Sequence, residues 1–266
     1  LLAAFVFLFQ GQLALRDGDW LDVTNLQKVF WPEPKFTKGD LLRYYARIAP
    51  LMSAALTGHS DTQPAGEVLA AWDHRDEPGA AAPAIFQSVY RHFARRVFED
   101  DLGPELTARY LGSYYLWHER LVLLLKDDDS DWFDDQRTPG RETRDDLFHL
   151  AGQDALAELR PVLGDDVRRW EWGQVHTVTF FSPLVPGNAA AGILGGGVHP
   201  KEGSGETLNR ATFRFDRPYA ATSIASLRLV ADLGDPDKVM AVLTGRASGR
   251  QFDPHLLLQL EWKRPR

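Results

Sequence analysis

The chain has 266 residues, 44% of them hydrophobic and 25% charged. That is enough for one large domain or two small ones, and the profile excludes disorder, collagen and coiled coil. It has no cysteine, which removes disulfides, thiolate catalysis and Cys-based zinc sites. A formal net charge of -7 argues against a nucleic-acid-binding domain, whose affinity comes largely from neutralising phosphates.

The opening Leu1-Leu2, without an initiator Met, is expected of a processed chain or a piece of a longer reading frame. The apolar run from Leu1 to Phe9 is too short to span a bilayer and has no basic residue before it. A buried strand or stray end is the expected reading, and a signal-peptide remnant the alternative. Residues 22–33 read as a loop or short strand with a turn at Trp31-Pro32. Thr37 then fits an N-cap, followed by Leu41, Leu42, Tyr45, Ile48, Ala49 and Met52 at helical spacing. The polar stretch from His59 to Gly66 is a candidate boundary.

Three helices are expected next. One covers Ala84 to Phe98, with Phe86, Val89, Tyr90, Phe93 and Val97 on one face. The second covers Glu105 to Lys126, with Leu106, Tyr110, Leu111, Tyr114 and Leu121. The third covers Glu142 to Leu163, with Leu147, Leu150, Ala151, Ala155 and Leu159 inward and Gly164 just past its end. Beyond Trp170 the texture becomes that of short strands at 177–181, 212–215, 227–233 and 239–243, separated by Gly, Pro and Asp. Helices first and strands afterwards predict an α+β fold.

Several stretches carry a family pattern in order. They are Leu69 to Asp73 (LAAWD); Trp132-Phe133-Asp134-Asp135 with Thr138 and Glu142-Thr143; and Leu163-Gly164-Asp165. Trp170-Glu171-Trp172-Gly173, His176 and the loop Gly203 to Asn209 follow, then Ser226-Leu227-Arg228, Asp232 to Asp235, and the tail Gly245 to His255. Over residues 64–266 the chain resembles the C-terminal part of the large subunit of the penicillin acylases, a family of N-terminal nucleophile hydrolases. The tail departs from the family by lacking an Asp before Gln259. The resemblance implies part of a four-layer αββα fold and an enzyme that hydrolyses linear amides, such as a β-lactam side chain or an N-acyl homoserine lactone. It also implies a partner, the upstream acylase chain, and a periplasmic or secreted location. In this family a terminal Ser is the nucleophile and its own α-amine the base, while backbone N–H groups and an Asn amide hold the oxyanion. Those groups lie upstream of LAAWD, so no catalytic residue is assigned here, and the chain is expected to be inactive alone. The family's calcium ligands fall outside this part as well. No membrane partner is expected.

Residues 1–57 carry a second pattern, VTNLQKVFWPE followed by FTKGDLLRYYARIAP. It resembles the start of the primase-like polymerase domain of bacterial end-joining DNA ligases. The organisation expected is therefore 1–57, a junction at 58–66, and acylase-like sequence over 67–266, in a hybrid or misjoined frame. Residues 46–56 also suit the acylase helix that precedes LAAWD.

Other features read as structural. From Asp127, an EF-hand would need Gly at its sixth position and Glu at its twelfth, where Trp132 and Thr138 stand, so a solvated turn is expected. Gly192, Gly195, Gly196, Gly197, Gly203 and Gly205 lack the context of a phosphate cradle and predict a mobile loop. His176 and His255 are expected to be hydrogen-bonded structural groups. Ser182, Ser204, Ser226 and Ser248 lack a nucleophile elbow, leaving a Ser204–His255–Asp253 triad only on paper. Trp31, Trp72, Trp117, Trp132, Trp170, Trp172 and Trp262 are expected in the core rather than lining an acyl pocket.

Overall fold

The computed structural model describes residues 44–112, 114–180, 197–205, 207, 209–231 and 239–243, with the backbone of four short strands before residue 38. Those strands form two antiparallel pairs, β1 (Gln12–Ala14) with β2 (Trp20–Asp22) and β3 (Val29–Trp31) with β4 (Phe36–Thr37). Thr37, expected as a helix cap, is instead the end of β4. The run from Leu1 to Phe9 lies outside the described residues. Two compact units emerge: Leu1–Arg75 with Ala80–Trp170, and Asp76–Gly79 with Glu171–Arg266.

Apart from those two strand pairs, the described part of the first unit is helical. Helix α1 (Tyr44–Thr57) buries Ile48, Ala49 and Met52, as their spacing predicts, and Ala55 and Leu56 as well; Leu41, Leu42 and the Tyr45 side chain lie outside the described residues. A tight turn leads to α2 (Gln63–Ala70), where the Thr62 hydroxyl donates to the Leu56 carbonyl at 2.8 Å. Gly66 makes this pair close. A Cβ there would sit 2.5 Å from Thr57 Oγ1 and 2.7 Å from Thr57 N. The segment 58–66 is therefore a packed helix–helix turn inside the first unit.

Helix α3 (Ala82–Leu111) starts at Pro83, whose missing N–H costs nothing in a first turn. The expected helix over 84–98 runs on to a kink at Gly103, φ 71°, where Pro104 restarts the helix. The expected helix over 105–126 is divided, because the chain breaks after Leu111 before α4 (Tyr114–Leu124). The predicted face of α3 is fully buried. Leu106 is not; it is 50% exposed.

Helix α5 (Arg144–Leu163) begins with a capping box. Thr143 Oγ1 accepts the Asp146 N–H, and the Thr143 N–H donates to the Asp146 carboxylate at 2.9 Å. It ends at Gly164, φ 89°, as its position predicts. Its inward face is the expected one at Leu147, Ala151, Ala155 and Leu159; Leu150 is only half-buried, and Phe148, which was not expected there, is fully buried. Phe148 stacks on Phe93 of α3, centroids 4.0 Å apart, joining the two longest helices. Gly152 lets α5 meet α1, since a Cβ there would lie 2.3 Å from Leu56 Cδ2.

The second unit is built from antiparallel strands. β5 (Thr177–Phe180) pairs with β6 (Gly197–Pro200), and Val178 also bridges Ala221. β7 (Ala211–Thr212) pairs with β8 (Ser223–Ile224), and β9 (Leu227–Ala231) with β10 (Val239–Leu243). The strand expected over 212–215 is displaced to 211–212; of those expected over 177–181 and 227–233, residues 177–180 and 227–231 are strand, and 181, 232 and 233 lie outside the described residues. Helical first unit and stranded second unit make the chain α+β. Among the described residues no helix is long and apolar enough to cross a membrane.

Candidate functional site

The second unit holds a buried polar cluster around one turn of helix. That turn, α6 (Trp172–Val175), can form only because Gly173 has no side chain: a Cβ would lie 2.8 Å from Pro200 Cβ and 2.9 Å from Pro78 Cβ. The Gly173 N–H donates to the Pro78 carbonyl at 2.7 Å. As the chain leaves the turn, His176 folds back onto Trp172, both with no exposed surface. Their rings stack with centroids 4.3 Å apart. Phe213 and Tyr219 close around them edge-on.

His176 Nδ1 lies 2.5 Å from the Tyr219 carbonyl, so this nitrogen carries the proton and donates. Nε2 is then a bare acceptor, buried and without a hydrogen-bond partner among the described residues. Burial pushes the imidazole pKa down to about 4, the carbonyl acceptor opposes that, and the nearby Lys201 charge adds to it. Tyr219 sits at φ 75°, a left-handed conformation uncommon for an aromatic residue, with its side chain buried.

Lys201 is 1% exposed, rare for lysine. Its ammonium donates to the Glu202 carbonyl and to Asn209 Oδ1, each at 2.9 Å, and Asn209 in turn binds the Glu202 carboxylate. The intervening loop turns at Gly203, φ 86°, where a Cβ would lie 2.0 Å from the Asn209 carbonyl. The Gly203 N–H donates to the Asp76 carbonyl at 2.8 Å, and its own carbonyl accepts from Trp172 Nε1 at 3.1 Å. This part of the glycine-rich stretch is therefore a packed, bonded loop, not the mobile one expected. Residues 192–196 lie outside the described residues.

The remaining sequence-derived residues separate clearly. Ser204 is buried, its N–H accepted by Thr207 Oγ1 at 2.8 Å, and Ser226 is exposed. Ser182, Ser248, Asp253 and His255 lie outside the described residues, so the paper triad has only Ser204 placed. Trp72, Trp117, Trp170 and Trp172 are core residues, whereas Trp132 is 37% exposed, contrary to expectation. The side chains of Trp31 and Trp262 also fall outside the description. The acidic run is a solvated turn: the Asp129 and Asp131 side chains are each 89% exposed, and Arg141 reaches Asp131 at 2.9 Å. Among the described residues no three acidic or imidazole groups converge to hold a metal ion.

In the first unit, Asp61, Leu156, Arg160 and Arg168 border a depression of about 100 Å³. Ligand pockets usually enclose about 300–1,000 Å³, so this one holds a few waters rather than an acyl chain. Lys201 and Tyr219 carry no sequence signal, and Asn209 is legible only as the end of the family-like loop Gly203 to Asn209.

The sequence model of the family described as penicillin amidase matches residues 35–264. The chain belongs to the penicillin amidase family. The match takes in α1, so that helix counts with the amidase, and these comparisons do not show the polymerase-domain resemblance of residues 1–57. Among relatives, the acyl-homoserine lactone acylase QuiP of Pseudomonas fluorescens Pf-5 is 26% identical over 191 residues, covering 70% of this chain and 23% of that protein. QuiP of Pseudomonas aeruginosa PAO1 is 26% identical over 208 residues, 70% of this chain and 24% of that protein. QuiP of Pseudomonas putida KT2440 is 27% identical over 226 residues, 78% of this chain and 27% of that protein. The penicillin amidase chain thus spans about a quarter of the length of the curated relatives it matches.

Proposed function

We propose that this chain is the C-terminal scaffold of the large subunit of an N-terminal nucleophile amidohydrolase. Its substrates are linear acyl amides of the N-acyl homoserine lactone or β-lactam side-chain type. The family match over residues 35–264, shared with relatives named acyl-homoserine lactone acylase, carries this reading. The reaction asks for a terminal Ser to attack the acyl carbonyl while its α-amine takes the hydroxyl proton. Backbone N–H groups and an Asn amide then hold the developing oxyanion. We assign all of these to acylase polypeptide outside this chain, together with the four-layer closure and any calcium. The helical unit and the Trp172–His176 cluster supply rigid packing, not chemistry. The location that fits is periplasmic or secreted.

The test is turnover of phenylacetyl and long-chain acyl amides, including acyl homoserine lactones, by the purified chain. None is expected above the buffer rate, and activity is expected when the upstream acylase polypeptide is co-expressed. Turnover by the chain alone overturns the proposed inactivity. Salt-sensitive DNA binding would instead favour the polymerase-domain reading of residues 1–57.

A further inference from the structure

Strand β9 places Leu227 and Leu229 two residues apart, hence on one face of the β9–β10 hairpin, 51% and 58% exposed. The register sets Leu229 opposite Ala241, itself exposed, and Leu227 opposite Leu243. The third pair on that face is Ala231 with Val239. All six positions are apolar, so this face has no polar alternation to suit it to water. Among the described residues the hairpin is a sheet of two strands only. An isolated two-stranded hairpin is marginal in water, and neighbouring exposed leucines on a strand mark a surface that something covers.

We propose that this face seats the acylase polypeptide lying outside this chain. The inference rests on the amidohydrolase reading above and adds where the two polypeptides meet. The occupant follows from length: the chain spans 23–27% of its named relatives, so roughly three quarters of such a protein is polypeptide available to cover the leucines. Apolar side chains laid over Leu227 and Leu229, or a strand added along a hairpin edge, bury this face by ordinary sheet recognition. A second copy suits the face less well. A two-fold contact would have to be self-complementary, and each copy carries a formal charge of -7.

The experiment uses the full chain co-expressed with the acylase polypeptide encoded upstream in its own locus. Backbone hydrogen exchange and amide hydrolysis are followed together. Expected is slowed exchange at Leu227–Ala231 and Val239–Leu243 relative to the chain alone. Leu229→Asp should weaken the complex about tenfold or more, and Leu229→Met should leave it intact. Since Leu229 is exposed, far-UV circular dichroism of the Asp variant alone should match the parent. The inference is overturned if no complex forms, if a complex leaves both strands unprotected, or if protection comes from a homodimer. Hydrolysis by a complex with an unprotected hairpin sinks this inference and leaves the functional reading standing. Protection without hydrolysis does the reverse.

Discussion

His176 lies flat on Trp172, ring centroids 4.3 Å apart and planes within 8°, with its Nδ1 proton given to the Tyr219 carbonyl. A neutral imidazole satisfies that arrangement; an imidazolium does not, because its second proton would face a buried site with no acceptor among the described residues. Burial holds the pKa near 4, against 6.5 for the free side chain. The folded state therefore binds fewer protons than the unfolded chain between these values. The contribution is fully present above pH 6.5, is lost as pH falls towards 4, and does not decline further below that. Its size is about 3 kcal/mol at about 1.4 kcal/mol per pKa unit. Denaturant unfolding from pH 8 to 4 should show this loss, and His176→Gln, which does not titrate, should flatten it. An unchanged pH profile in the variant would place the acid sensitivity elsewhere.

Gly66→Ala tests whether α1 is an integral part of the amidase unit. The new methyl would lie 2.5 Å from Thr57 Oγ1 and 2.7 Å from the Thr57 backbone nitrogen, which has no rotamer to escape into. Overpacking costs about 1–3 kcal/mol, only partly offset by ~1 kcal/mol of helix propensity gained over glycine. A net loss of up to about 2 kcal/mol is expected in thermal or denaturant unfolding. Gly140→Ala, whose Cβ would meet nothing within 4 Å, is the control and should be near neutral. Equal stability of the two variants would mean that α1 and α2 do not pack as described.

Helices were legible because their apolar residues recur at 3.6-residue spacing over long runs, as Phe86, Val89, Tyr90, Phe93 and Val97 do on α3. The kink at Gly103-Pro104 reads as a gap, since both residues break helices locally. Phe148 lies one position beyond the expected Leu147, and its burial depends on stacking against Phe93 of another helix, which local spacing does not reveal. Strands β6 and β8 are too short and too polar to declare themselves. At the candidate site, the expected hydrogen bond of His176 is found, to the Tyr219 carbonyl. Tyr219, 43 residues away, and Lys201 reach His176 through tertiary pairing that carries no local pattern.

The capping box at α5 gives a local test independent of the core. Thr143→Ala removes both the oxygen that accepts the Asp146 N–H and the hydroxyl that donates to its carboxylate at 2.6 Å. A loss of about 1 kcal/mol is expected. The same contacts hold the Asp146 pKa below its usual range, so the box weakens as the carboxylate is protonated at acid pH. In a cycle with Asp146→Ala the two losses should not add, because either change breaks the reciprocal pair. Simple additivity would show that the two side chains act separately.

Lys201→Met probes the electrostatic link across the second unit. Methionine keeps much of the apolar stem but removes the ammonium that donates to the Glu202 carbonyl and to Asn209 Oδ1. Hydrogen bonds from a charged donor contribute about 1.5–3 kcal/mol each, and a loss of about that size for the site as a whole is expected. Removing this positive charge also lifts one of the two influences that depress His176, leaving burial as the other. The imidazole should therefore titrate higher than about 4 but still below 6.5 when followed by NMR of its ring protons. The acid loss of stability should begin at the same pH as in the parent and finish earlier on the way down, so its total is smaller. A His176 titration unmoved by Lys201→Met would mean that the two side chains do not sense each other, and that burial alone sets the proton affinity of the cluster.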